Sequence, residues 1–218
     1  MITSQYTHII RPIAKTGKKK YGDKVVLSDI NLNFEMNNIY GLVGQNGSGK
    51  TQILKALAGY IKLTSGHVFQ NGTEIRKRGN YIQDAGVLIE NPQFISHYSL
   101  IKNLNAVRAM CQNKNDIDLK IWLNFYNITE FANIKYKNLS LGTKQKMGLI
   151  QAFMHSPTVL ILDEPMNALD AKSVELTKNL IRKHKEKGIV ILTSHVKGDI
   201  EELCDKTYYI ADGKISLE

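Results

Sequence analysis

The sequence predicts an α/β fold with a mostly parallel central sheet, an N-terminal antiparallel β-subdomain and an inserted helical subdomain. Three observations predict it. Short apolar runs, Val159–Leu162 and Ile189–Thr193, alternate with longer stretches of helical periodicity, the pattern of strands joined by crossover helices. Near the N-terminus, Val25-Val26-Leu27 is followed by Ile30, Leu32 and Phe34, a period-two pattern that suits antiparallel strands. Over residues 91–136 the texture changes: Leu100, Leu104, Val107 and Met110, then Ile121, Leu123 and Phe125, fall at helical spacing.

The other elements follow in order. The basic run Lys18-Lys19-Lys20 reads at least as well as a solvated loop as it does a contact surface. Ile39-Tyr40-Gly41-Leu42-Val43 is a buried strand ending in a glycine-rich turn. A helix starts in that turn and carries Ile53, Leu54, Ala56, Leu57 and Ala58 before stopping near Gly59. Residues 67–74 form a hairpin around Asn71-Gly72, a type I′ pair. A helix runs from Leu139 to about Met154, a second covers about 173–187, and a final hairpin turns at Asp212-Gly213. The domain division is one domain over 1–218, with a core of 1–89 and 146–218 and a helical subdomain over 90–145.

Composition sets the class. The 218 residues suit one domain, and 43% hydrophobic content suits a sizeable core. No stretch approaches the ~18 consecutive apolar residues of a membrane span. The N-terminus lacks a basic cap followed by an apolar stretch, so the chain is expected in the cytosol unless a partner draws it to a membrane. Cys111 and Cys204 are far apart, with no CxxC or Cys/His cluster, and read as idle thiols. The formal charge of +9 favours anionic partners such as nucleotide, nucleic acid or an acidic leaflet.

Gly44-Gln45-Asn46-Gly47-Ser48-Gly49-Lys50-Thr51 satisfies G-x-x-x-x-G-K-[ST]. Glycines let the backbone wrap so that several N–H groups face one concavity, and the following helix offers its positive end. Lys50 reaches β- and γ-phosphates, and the Thr51 hydroxyl suits Mg²⁺. The core is therefore that of a P-loop NTPase. More than a hundred residues later, four apolar residues end in Asp163-Glu164-Pro165. A buried strand delivers both acids at its tip, Asp163 for Mg²⁺ and Glu164 to orient and deprotonate water.

With these residues in place, the chain resembles the nucleotide-binding domain of the ABC ATPases over essentially its whole length. Leu139-Ser140-Leu141-Gly142-Thr143-Lys144-Gln145 resembles the family signature: Leu139, Ser140, Gly142 and Gln145 match, while Leu141 and Thr143 depart. The resemblance implies that Ser140 and Gly142 bind the γ-phosphate of ATP held by a second ABC subunit. It implies that Tyr21 stacks on adenine, and that Gly44, Gln45, Asn46, Gly47, Ser48, Gly49, Lys50, Thr51 and Gln52 surround the nucleotide. Asn167-Ala168-Leu169-Asp170 resembles the D-loop, and His195 the switch histidine. Where the family usually has a glutamine, this chain has Glu90, which is placed near Mg²⁺ and resembles exporters of peptide antibiotics and lantibiotics. The implied cofactors are ATP and Mg²⁺. The implied partners are a second motor subunit and a transmembrane permease at the inner face of the cell membrane, with no specific nucleic acid. A soluble ABC ATPase acting in cofactor assembly, on the ribosome or on DNA is the alternative.

Overall fold

The computed structural model describes residues 13–22, 24–76, 80–90 and 93–217. Two sheets organise it. The first is antiparallel and contains β1 (Ile13–Tyr21), β2 (Lys24–Asn33), β4 (Ser65–Gln70) and β5 (Thr73–Glu74), in the order β2-β1-β4-β5. The second contains β3 (Asn38–Val43), β6 (Ala85–Leu88), β7 (Val159–Leu162), β8 (Ile189–Thr193), β9 (Lys206–Ala211) and β10 (Lys214–Leu217), in the order β10-β9-β3-β8-β7-β6. Its pairs are parallel except β9–β10, a hairpin whose Asp212 and Gly213 both have positive φ. The helices are α1 (Lys50–Leu57), α2 (Leu100–Met110), α3 (Leu119–Phe125), α4 (Leu141–Phe153), α5 (Ala171–Lys185) and α6 (Lys197–Leu203).

The parallel sheet is buried on both faces, which is why its strands read as unbroken apolar runs. Alternate side chains serve different cores. Leu160, Leu162, Val190 and Leu192 join α2, α3 and α4 in one cluster. Val159, Ile161, Ile189 and Ile191 join α1 and the antiparallel sheet, through Leu27, Ile30 and Leu32, in the other. Two layers are thereby fixed against one sheet, and the edge where its strands end is held from both sides.

Several sequence expectations need correction. Lys18-Lys19-Lys20 is not a loop: it lies in β1, where Lys18 pairs with Ser65, Lys19 with Leu27 and Lys20 with Val25. Register shifts along β1 break the period-two pattern that would have revealed the strand. The helix expected over 173–187 starts at Ala171, because the Asp170 carboxylate caps it. The short strand β6 and the helix α6 were not anticipated. The helical insertion holds α2 and α3 with single 3₁₀ turns at Thr129–Phe131 and Tyr136–Asn138. Residues 91 and 92, at its start, lie outside the described residues. α4 runs without a break through position 145.

His184, near the C-terminus of α5, is a buried titratable group with a clear consequence. Its Nε2 is buried without a hydrogen-bond partner, and its ring meets Phe153 edge-on. Burial, with the Lys187 ammonium nearby, pushes its pKa down from 6.5 to about 4. The folded state therefore holds this imidazole neutral, while the unfolded chain protonates it below its ordinary pKa. The associated stability is fully present above pH 6.5 and is lost as pH falls from 6.5 towards 4. Urea midpoints at pH 7 and pH 4.5 should thus differ more for the wild type than for His184→Gln. Equal pH dependence of the two proteins would contradict it.

Candidate nucleotide site

β3, β8 and β7 are adjacent and parallel, so their C-terminal ends emerge on one edge. β3 feeds the loop of residues 44–49, β7 feeds Asp163 and Glu164, and β8 feeds Ser194 and His195. This is the edge at which open α/β sheets bind ligands. Asp163 and Thr193 are 30 residues apart and Thr51 and Asp163 are 112 apart, yet all three meet there because the strand order brings their segments together.

The loop after β3 needs its glycines. Gly49 has φ +107°, and a Cβ there would lie 2.7 Å from Leu27 Cδ2. A Cβ on Gly44 would lie 2.3 Å from the Ile210 carbonyl oxygen. α1 starts directly after Gly49 with no side-chain cap and no acidic residue in its first turn. Its N–H groups and the positive end of its dipole are left to a ligand. Lys50 is nearly buried, and its ammonium donates to the loop's own carbonyls, Gly44 at 2.7 Å and Gln45 at 3.1 Å. Ser48 Oγ is buried with no partner. An unfilled hydroxyl, a lysine and a helix N-terminus in one concavity suit a polyphosphate.

The acids after β7 are held by hydroxyls. Asp163 accepts from Thr51 Oγ1 at 2.9 Å and from Thr193 Oγ1 at 2.7 Å. Thr193 Oγ1 also accepts from the Glu164 backbone N–H at 2.9 Å. Glu164 has φ +48°, a left-handed conformation that costs a non-glycine residue energy. Gln145 secures the turn by donating to the carbonyls of Glu164 and Pro165, at 3.2 and 3.0 Å. His195 meets Glu164 Oε2 twice, through its backbone N–H at 3.1 Å and its ring Nδ1 at 2.8 Å. Thr51 and Asp163 offer two hard oxygen donors. Among the described residues no three His, Cys, Asp or Glu side chains gather as a metal centre. The donor pair fits Mg²⁺, which takes few protein ligands and completes its shell with phosphate and water. Glu90 follows β6 on the same edge, and its carboxylate pairs with Lys55 Nζ at 2.6 Å, one turn along α1 from Thr51.

Ser140 and Gly142 gather elsewhere. Ser140 caps α4, with Oγ accepting from Thr143 N–H at 3.2 Å and lying 2.9 Å from Thr143 Oγ1. Gly142 packs against the segment after the acids, since a Cβ there would lie 2.6 Å from the Ala168 carbonyl oxygen. Lys146 Nζ bonds Asp170 at 2.8 Å. That ammonium, with the Ser173 N–H and hydroxyl, holds the Asp170 carboxyl well below the usual carboxylate range. Ser140 thus belongs to the α4–α5 junction and makes no hydrogen bond to residues 44–51 among the described residues. Tyr21 is half-exposed at the end of β1 and its hydroxyl donates to Oε1 of Gln52, in the first turn of α1, at 2.9 Å. Lys19 Nζ lies 4.7 Å from the ring centroid.

Sequence reading missed Thr193 as a site residue and did not assign Gln145 or Lys146 a contact. Thr193 carried one signal: a hydroxyl closing an otherwise apolar, buried strand must find a partner.

The fold and site define a P-loop nucleotide-binding domain of α/β type. The ABC transporter family matches residues 27–167. The chain is 35% identical over 198 residues to the ABC transporter ATP-binding protein YybJ of Bacillus subtilis, covering 90% of this chain and 91% of that one. It is 34% identical over 202 residues to the lantibiotic transport ATP-binding protein SrtF of Streptococcus pyogenes, covering 92% and 87%. A solved structure described as the ATP-binding subunit of an ABC transporter superposes with a TM-score of 0.87 at 21% identity, over 95% of this chain and 89% of that one. The chain belongs to the ABC transporter family, as an ATP-binding subunit.

Thr193→Val keeps the shape of the side chain but leaves Asp163 Oδ1 and the Glu164 N–H without that partner. It should cost about 1–3 kcal/mol in urea unfolding and weaken ATP binding. Stability and affinity equal to the wild type would contradict the assigned contacts.

Proposed function

We propose that this chain is the Mg²⁺-dependent ATPase motor of a membrane exporter, catalysing ATP + H₂O → ADP + phosphate. The observation that carries the reading is the His195–Glu164 pair beside the phosphate loop. A carboxylate held through Oε2 by a backbone N–H and an imidazole nitrogen is placed to receive a proton from water. Lys50 and the N–H groups of residues 44–51 bind the phosphates, and Tyr21 offers a face for the adenine. Thr51 and Asp163 would hold Mg²⁺, which supplies neutralisation of phosphate charge when bound. Glu90 would offer a further carboxylate on that edge, its charge offset by Lys55.

Two chains close face to face, and Ser140 and Gly142 of one complete the site of the other. Asp170 couples the two sites. That Ser140 makes no hydrogen bond to residues 44–51 of its own chain among the described residues supports this arrangement. The helical subdomain, residues 90–145, meets a transmembrane permease, which holds the motor at the inner face of the membrane. No helix among the described residues is long and apolar enough to cross a membrane. The kinship with SrtF, together with Glu90, supports export of a peptide, antibiotic or related compound.

Glu164→Gln keeps the size and loses the base. It should bind ATP as the wild type does and hydrolyse it at least about 100-fold more slowly, measured by phosphate release alongside a nucleotide-binding titration. Turnover at the wild-type rate would refute the assignment.

A further inference from the structure

α5 and α6 are joined by a charge cluster whose centre, Lys178 and Asp199, is buried and whose rim, Glu202 and Glu175, is exposed; it ends at the residue before His195. Lys178 on α5 is 7% exposed. Its ammonium bonds Asp199 Oδ1 at 2.9 Å and Glu202 Oε2 at 2.6 Å, with Glu175 3.9 Å away. Asp199, also buried, accepts through Oδ2 from the Ser194 hydroxyl at 3.2 Å. Ser194 Oγ accepts in turn from the Val196 N–H at 3.1 Å. One hydroxyl therefore ties the positions on both sides of His195, and that hydroxyl is aimed by Asp199.

Burying the Asp199 carboxylate costs several kcal/mol unless a cation and hydrogen bonds offset it. Lys178 supplies the cation. α6 cannot anchor itself, because it has seven residues and no side-chain cap. Asp170, which caps the N-terminus of α5, is eight residues or about 12 Å from Lys178 along the helix axis. The cluster thus hangs the His195 turn from the same helix that Asp170 caps.

We propose that Lys178, acting through Asp199 and Ser194, is a positioning residue that holds the His195 backbone where its N–H and Nδ1 both reach Glu164. This rests on the catalytic reading of His195 and Glu164. Without the cluster, the Ser194–Val196 turn loses its aimed hydroxyl, and the imidazole samples orientations in which Glu164 is not held. ATP affinity changes little, because among the described residues none of the three makes a hydrogen bond or ion pair to the phosphate loop or Tyr21.

The test compares wild type with Lys178→Met, Lys178→Arg and Ser194→Ala in the full chain. Three quantities are read: steady-state MgATP hydrolysis, binding of a fluorescent N-methylanthraniloyl-ATP, and the ¹H–¹⁵N imidazole resonances of His195, assigned by their loss in His195→Ala. Lys178→Met and Ser194→Ala should each lower kcat about tenfold or more, with KM and analogue affinity within about twofold, since small misplacements of reacting groups are costly. Both should shift the His195 resonances, and Lys178→Arg should restore most of the rate and the wild-type spectrum. Lys178→Met leaves a buried carboxylate unpaired and can unfold the chain; Ser194→Ala keeps the ion pair and reads the same link without that risk. Unchanged kcat and unchanged His195 resonances in folded Ser194→Ala would overturn the proposal. So would a loss in Lys178→Met that tracks thermal stability alone while Ser194→Ala behaves as wild type. Glu164→Gln with wild-type turnover would instead remove the catalytic reading, and the imidazole spectra would still decide whether Lys178 positions His195.

Discussion

The site depends on one carboxylate. Asp163 stands at the tip of β7 and accepts from Thr51 on the helix after β3 and from Thr193 at the end of β8. Hydrogen bonds to an ionised acceptor are about twice as strong as neutral ones. Here they tie together three chain segments that share no local sequence. Thr193 passes the constraint on by accepting from the Glu164 N–H, and Glu164 passes it to His195. Residues 44–51, Asp163, Glu164 and His195 are linked through this one group.

Such a link is useful only if its supports are rigid. The alternation along β7 and β8 sends neighbouring side chains into two cores. Neither strand can shift by one residue without turning an entire apolar set towards the wrong layer. That rigidity also sustains positive φ at Glu164 and Ala168, which bracket the turn after β7. Gln145 reaches this turn from α4, and Gly142 lets α4 approach Ala168 closely. The start of α4 and the turn after β7 are therefore connected within one chain.

Much of this was legible in the sequence, for physical reasons. Strands buried on both faces leave unbroken apolar runs, and a tight turn leaves glycines where the backbone must wrap, so β3, β7, β8 and the glycine turn into α1 were read correctly. Lys18-Lys19-Lys20 was misread because bulges in β1 destroy the two-residue period that marks a strand. β6 is only four residues long and includes Gly86, too little pattern to separate from a loop, yet it is what carries Glu90 to the ligand edge. The contacts of Thr193, the Lys146–Asp170 pair and the Lys178–Asp199 cluster span long sequence separations. Nothing local distinguishes their polar residues from ordinary surface ones until the strand order is known.

Three distant segments meet at one edge of the parallel sheet, and amide hydrogen exchange with and without adenylyl imidodiphosphate and Mg²⁺ tests whether they form one nucleotide site. Joint protection of residues 44–51, 163–164 and 193–196 is expected. Protection of 44–51 alone, with the other two segments exchanging as in the free protein, would contradict it.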